Sequence, residues 1–155
     1  MMKFKTLFII LFFITTLSPT AAFAKCNVIL MTFSNHGFTG QLHDTVREIA
    51  HKNPRVQRTV AASMAQNAFF QLSDLGVRDE DLDSALLMKI ATLDDAPGAQ
   101  HTVLKYQSVK GHRFASEETT IFEWRTNRTN TSLGKRQKRE ARRALEKALE
   151  THCSQ

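Results

Sequence analysis

The sequence predicts an α+β protein in which helices pack on a small, mainly antiparallel sheet. Two observations predict this class. After one short apolar strand, the first half of the chain places apolar residues at helical spacing. The second half changes to the alternating pattern of two neighbouring strands and returns to helical spacing at its end. The predicted order is therefore β-α-α-α-β-β-α, and the lack of regular β-α-β alternation favours α+β over a parallel α/β sheet.

An export signal is predicted at residues 1–24 of the 155-residue sequence. Two lysines precede an uninterrupted apolar block, Thr6–Leu17, and the segment closes on Ala22-Phe23-Ala24. The block is shorter than the roughly 20 apolar residues that cross a bilayer as a helix. This combination is typical of a cleaved secretory signal, with an uncleaved anchor as the alternative. We expect residues 25–155 to form one exported domain, periplasmic or secreted, without a membrane span.

Charge limits the classes of partner. The protein has 21 basic and 15 acidic residues, and two of the basic ones, Lys3 and Lys5, lie in the predicted signal. The mature chain would therefore carry 19 basic residues against 15 acidic ones, a net charge of +4. This modest excess does not indicate a dedicated polyanion binder. Nucleic acid is a poor fit for an exported protein, and the oligomeric state is left open.

The cysteines predict one covalent link. Cys26 and Cys153 stand near the two ends of the mature chain, and an isolated pair in an oxidising compartment is most simply a disulfide. Such a link requires the first strand and the last helix to end close together. Two free thiols or an intermolecular disulfide are the alternatives.

The first half of the mature chain begins with a strand and a helix. An apolar run rich in β-formers predicts a strand over Asn27–Phe33. Small polar residues and glycines predict a loop over Ser34–Gly40. A helix should follow, because Leu42, Val46, Ile49 and Ala50 stand at helical spacing and predict its apolar face. It should end at Asn53-Pro54, because the residue before a proline disfavours helical geometry.

Two further helices are predicted before the chain changes period. An apolar stripe from Val56 to Leu75 predicts a helix that starts at Pro54 and stops at Gly76. A third helix is expected to begin near Asp79 and to bury a stripe of leucine and isoleucine residues that ends at Leu93.

The second half is predicted as two strands and a final helix. Alternation over Thr102–Lys110 and Arg113–Arg125 predicts the strands, with Phe122 and Trp124 facing the core. The last helix is expected over Ser132–Thr151, and its apolar face comprises Ala141, Ala144, Leu145, Ala148 and Leu149.

The loop Ser34–Thr39 is the first candidate site. A strand that enters a glycine-containing loop and opens a helix directs backbone N–H groups towards an anion. Ser34, His36 and Thr39 could add donors, and His43 lies in the next helical turn. However, the glycine spacing matches no phosphate-binding fingerprint, so a turn that needs glycine geometry is the competing explanation.

Metal, cofactor and nucleophile signals are absent from the sequence. The histidines lack the i, i+4 spacing with which two ligands share a helix face, so we predict no metal and no cofactor. The acids from Asp79 onward resemble a calcium loop, but Ser84 and Ile90 stand where it requires glycine and glutamate. No serine lies in the G-x-S-x-G turn of a hydrolase nucleophile.

A basic stripe on the last helix is the second candidate site. Its members could contact an acidic protein or an anionic polymer of the cell envelope or surface. The competing explanation is a solvated helix face with the internal pairs Arg136–Glu140 and Arg142–Glu146. The predicted partner-binding residues are Lys135, Arg136, Lys138, Arg139, Arg142 and Arg143.

The sequence thus favours a non-enzymatic exported protein that binds another macromolecule through its basic C-terminal helix. The alternative is a small hydrolase or transferase with His36 or His43 as general base at the Ser34–Thr39 loop. An exported toxin or effector is a third possibility that the residues neither favour nor exclude.

Overall fold

The computed structural model describes residues 25–33, 37–62, 77–127 and 132–153. These residues form a mixed sheet of six strands with three helices, which confirms the predicted α+β class. The predicted signal, residues 1–24, lies outside the described residues.

The strands are β1 (Cys26–Thr32), β2 (Val56–Ala62), β3 (Ser84–Ala96), β4 (Ala99–Lys110), β5 (Arg113–Phe114) and β6 (Thr119–Asn127). The helices are α1 (Gly37–Lys52), α2 (Asp79–Leu82) and α3 (Lys135–His152). In the sheet, the strands follow the order β2-β1-β3-β4. Both β5 and β6 then pair with the outer edge of β4. Strand β1 is parallel to β2 and β3, whereas the pairings of β4 are antiparallel.

Helices α1 and α3 cover one face of the sheet. Leu42 and Val46 of α1 and Leu145 and Leu149 of α3 are fully buried there, against Leu30 of β1 and its neighbours. Burial of these apolar side chains is the main stabilising term for both helices. The predicted apolar faces of α1 and α3 are therefore confirmed, apart from Ala144, which is only partly buried at the margin of α3.

The predicted second helix is wrong over the part of it that the structure describes. Residues 56–62 form β2, which pairs in parallel with β1 so that Val60 lies opposite Ile29. The β-branched residues Val56, Thr59 and Val60 suit a strand, and pairing with β1 outweighs the helical spacing. The remainder of the prediction, residues 63–76, lies outside the described residues.

The predicted third helix is also wrong beyond its first turn. Only Asp79–Leu82 is helical, and β3 begins at Ser84. Leu86 belongs to the helix-covered core and Leu87 to the core on the opposite face. Successive side chains point to opposite faces in a strand and not in a helix. A short apolar run in the sequence does not by itself distinguish a buried helix from a buried strand. Leu93, expected to be buried, is 55% exposed.

The C-terminal predictions agree better with the structure. Both predicted strands form, although the second is divided into β5 and β6 by residues 115–118. Phe122 is buried and Trp124 half-buried on the helix-covered face, while Glu123 and Arg125 are exposed. The last helix begins at Lys135, three residues later than predicted.

The two cysteines meet at disulfide distance. Cys26 opens β1 and Cys153 directly follows α3, their Cα atoms are 5.1 Å apart, and both side chains are buried. We call this pair the clasp. It lies where the start of β1 meets the end of the last helix, as the sequence required of an internal disulfide.

We expect the double substitution Cys26→Ser, Cys153→Ser to lower the free energy of unfolding by about 4–5 kcal/mol, because the clasp closes a long loop in the unfolded chain. Urea denaturation of the oxidised protein and the variant measures the difference. Equal midpoints, or a non-reducing tryptic digest without a Cys26–Cys153 peptide, would contradict the prediction.

A buried carboxylate anchors α2 on the face of the sheet opposite α1 and α3. Asp81 is 3% exposed, and its carboxylate lies 3.2 Å from Arg78 Nε and 3.4 Å from Arg58 Nη1 of β2. Its backbone oxygen accepts a hydrogen bond from Asn27 Nδ2 of β1 at 3.2 Å. These contacts hold α2 to the two strands beneath it.

Asp81→Ala is expected to lower the free energy of unfolding by about 2 kcal/mol, since it removes the buried carboxylate that accepts hydrogen bonds from Arg78 and Arg58. Asp79→Ala is the matched control, because the Asp79 side chain is 93% exposed on the same helix. The midpoint in a urea titration reports both. Similar losses for the two variants would show that the buried contacts of Asp81 do not stabilise the fold.

Candidate functional site

The basic residues of α3 divide between two sides of the helix. Lys135, Lys138, Arg139 and Arg142 line a groove of about 460 Å³ together with Thr45 and Glu48 of α1. We call this the α1–α3 groove. It contains four of the six residues predicted to bind a partner.

Helical geometry explains why these four residues share a side. Residues three, four and seven positions apart lie within one sector of a helix, because each residue turns about 100°. Ala141, Leu145 and Leu149 fix the rotation of α3 by pointing into the core beside α1. The row that starts at Lys135 is thereby held next to α1.

The α1–α3 groove is electrostatically positive. Its one acid, Glu48, accepts a hydrogen bond of 2.6 Å from Lys52 on its own helix. This hydrogen bond and the charge of Lys52 lower the pKa of Glu48, and the charges of Arg142 and Lys138 lower it further. Glu48 therefore stays ionised and is already matched by Lys52. Within the described part of the chain, none of the four groove cations forms an ion pair.

The other two predicted partner-binding residues lie outside this groove. Arg136 Nε is 2.8 Å from Glu140 Oε1, which confirms one of the expected helix-surface pairs. The second expected pair, Arg142–Glu146, does not form among the described residues. Arg143 lies on the side of α3 that faces β4 and β6. The continuous stripe expected from the sequence is therefore two separate surfaces.

The Ser34–Thr39 loop can be followed only in part. Ser34 and His36 lie outside the described residues, and residues 37–40, expected in the loop, already belong to α1. Thr39 is buried and its hydroxyl contacts that of Thr92, which in turn lies 3.0 Å from the hydroxyl of Thr102. These hydroxyl groups bind one another across α1, β3 and β4, so the buried Thr39 hydroxyl is engaged within the fold.

His43 is held at the end of β1. Its Nδ1 forms a hydrogen bond of 2.7 Å with the hydroxyl of Thr32. Burial lowers the pKa of His43, Arg47 lowers it further, and the neighbouring Asp44 acts in the opposite direction. His43 is therefore neutral at neutral pH, and its described partner is a threonine of the sheet.

A third surface, between α1 and β2, was not predicted. Asp44, Arg47, Glu48 and His51 line a groove of about 610 Å³ that reaches Thr59 of β2. The helical spacing of these four polar residues (i, i+3, i+4 and i+7) indicates that they share one face of α1. The sequence does not predict the groove, because it predicts a helix where the facing strand β2 lies. No group of histidine, cysteine and acidic side chains among the described residues could hold a metal ion.

Comparison with known proteins does not assign this chain to a family. No protein-family model matches it. No curated protein matches it either. A solved structure, the hypothetical protein CT253 from Chlamydia trachomatis, is similar over 83% of this chain and 98% of its own, with 10% sequence identity and a TM-score of 0.36. This similarity identifies neither a family nor a function. Among the helices of the described residues, none is long and apolar enough to cross a membrane.

His43 should make the stability depend on pH. Its pKa in the folded protein lies below the ordinary value of 6.5, so the unfolded chain takes up the proton first as pH falls. The free energy of unfolding should therefore decrease as pH falls below about 6.5. Above that pH, His43 should make the free energy of unfolding neither larger nor smaller. His43→Gln should reduce that decrease.

The matched control is His51→Gln, because His51 is exposed on the same helix. Urea midpoints between pH 5 and 8 provide the measurement. If the urea midpoint of His43→Gln falls with pH as steeply as that of the parent protein, burial of the neutral His43 imidazole does not contribute to the pH dependence of stability.

Proposed function

We propose that this chain is an exported, non-enzymatic accessory protein that binds an extended anionic macromolecule in the α1–α3 groove. The observation that carries the proposal is a row of four cations that form no ion pair with a described residue, beside an acid that is already neutralised by Lys52. An acidic segment of a protein and an anionic polymer of the envelope share the chemistry that this groove would recognise.

The spacing of the cations favours an extended partner over a small anion. Lys135 and Arg142 are seven residues apart, which is about 10 Å along a helix. A single exposed ion pair stabilises a complex by only about 0–1 kcal/mol, so one anionic group would bind weakly. A ligand with several anionic groups over this length would engage the row together.

Export is supported by the sequence and agrees with the clasp. The charged start, short apolar block and A-x-A ending are typical of a secretory signal. A buried cysteine pair at disulfide distance suits an oxidising compartment. This location favours a periplasmic or extracellular partner over nucleic acid.

The hydrolase alternative gains no support from the described residues. Its candidate base, His43, binds Thr32, and the Thr39 hydroxyl is engaged by Thr92. Thr32 belongs to β1 and not to the predicted loop, so the described residues place no base beside a nucleophile of that loop.

Neutralising the groove should weaken binding of an anionic polymer. We expect Lys138→Gln, Arg139→Gln, Arg142→Gln to reduce the affinity for poly-L-glutamate or dextran sulfate about tenfold at low salt, since three ion contacts are lost. The same variant should show a weaker dependence of affinity on salt concentration. Fluorescence anisotropy of the labelled polymer over a series of NaCl concentrations measures both quantities.

The control is Arg136→Gln, Arg143→Gln, Lys147→Gln, which removes one lysine and two arginines from the other side of the same helix. Equal losses in the two variants would show that net charge alone governs binding and would overturn the assignment to the groove. Preference for poly-L-glutamate or dextran sulfate would indicate which kind of partner the groove suits.

A further inference from the structure

A second groove runs along the opposite side of α3, where the helix lies over β4 and β6. Its volume is about 460 Å³, and it lies between Tyr106 and Ile121 of the sheet and Ala144 and Ala148 of the helix. Ile121 and Tyr106 pack against the helix-covered core and keep part of their surface open. We call this the α3–β6 groove.

The walls of the α3–β6 groove are mainly apolar, with few free hydrogen-bonding groups. The Tyr106 hydroxyl is 2.7 Å from His152 Nε2, and the two rings are in contact with their centroids 4.7 Å apart. The Thr151 hydroxyl donates to the backbone oxygen of Lys147 at 2.9 Å. Because these polar atoms are satisfied within the protein, the exposed Thr119 is the remaining uncharged polar side chain of the lining, and the surface left for a ligand is mainly apolar.

The rim of the groove carries positive charge. Arg143 and Lys147 are one helical turn apart, both are exposed, and both line the groove. Neither forms an ion pair with any residue that the structure describes; the nearby Glu140 is bound by Arg136 and Glu150 by Arg55. An apolar trough with two such cations on one edge is complementary to a molecule that has an apolar chain and one anionic end.

We propose that the α3–β6 groove binds a single-chain anionic amphiphile. The acyl or alkyl chain lies against Ile121, Ala144 and Ala148, and its phosphate or carboxylate head contacts Arg143 and Lys147. The volume falls within the roughly 300–1,000 Å³ of typical small-molecule sites. The guanidinium group suits an oxyanion because it donates two parallel hydrogen bonds. The two cations are separate from the row in the α1–α3 groove, so this site is independent of the proposed function.

Chain length provides the first test. Octyl, decyl and dodecyl phosphate, each below its critical micelle concentration, are titrated into the full mature chain by isothermal calorimetry. Affinity should rise with length, by up to about fourfold for each methylene group buried. Inorganic phosphate should show no measurable binding. Equal affinity for octyl and dodecyl phosphate would overturn the proposal.

Charge provides the second test. Arg143→Gln, Lys147→Gln should weaken binding of dodecyl phosphate about threefold to tenfold, as expected for two exposed ion contacts. It should leave the weaker binding of the uncharged dodecyl maltoside unchanged. The matched control Lys138→Gln, Arg142→Gln removes the same charges from the α1–α3 groove and should bind dodecyl phosphate as the parent does. Loss of binding in the control instead would place the anion in the other groove and refute the site.

A third variant fills the groove without changing charge. Ala144 is only partly buried, so Ala144→Phe should retain the parent circular dichroism spectrum while it occupies the trough. Its affinity for dodecyl phosphate should fall to that of octyl phosphate, because the chain can no longer lie along the helix. A correctly folded Ala144→Phe protein with full affinity would refute the proposal. Binding to phosphatidylglycerol vesicles but not to monomeric dodecyl phosphate would also refute it, in favour of a membrane surface.

Discussion

The burial of β1 on all sides is the constraint on which the other elements depend. Val28, Ile29, Leu30 and Met31 are completely buried, because β1 has a strand on each edge and a core on each face. Both neighbouring strands are parallel to β1, and parallel neighbours cannot be joined by a tight hairpin. A crossover is therefore required, and α1 supplies the first one between β1 and β2.

The position of α1 in turn determines which surfaces the two flanks of α3 form. Helix α3 packs beside α1 on the same face, with Leu145 and Leu149 in the shared core. One flank of α3 then faces α1 and the other faces β4 and β6. Two surfaces of different character result from one amphipathic helix: a polar row of cations on the α1 side, and an apolar trough edged by Arg143 and Lys147 on the other.

The spacing of apolar residues predicted an element correctly where it fits only a helix or only a strand. Leu42 and Val46 in α1 and Leu145 and Leu149 in α3 fit a helix buried on one side, and the structure has both helices. Val56 and Val60 fit a helix or a strand equally well, and only their pairing with β1 decides between the two. Leu86 and Leu87 are buried on opposite faces, so their burial has no amphipathic pattern that a sequence could reveal.

The sequence predicted which charged residues form the candidate site, but it did not predict the surface on which they lie. The sequence placed Lys135 to Arg143 on one helix, but which cations face α1 depends on the neighbours that flank α3 in three dimensions. The α3–β6 groove could not be predicted at all, because Tyr106 and Ile121 come from different strands and meet α3 only after the sheet has formed.

A disulfide at the clasp would give the described part of the chain the topology of a ring. Cys26 at the start of β1 and Cys153 after the last helix lie at disulfide distance, so a bond between them would place nearly all of the described fold within one covalent loop. Tension applied to the chain outside the two cysteines would pass through the sulfur atoms and bypass the sheet and helices. A protease that cuts once, for example in the exposed turn at Gly111 and His112, would leave both fragments linked and in contact. A protein closed in this way would keep its parts together under mechanical load and after single cuts that would separate an open chain.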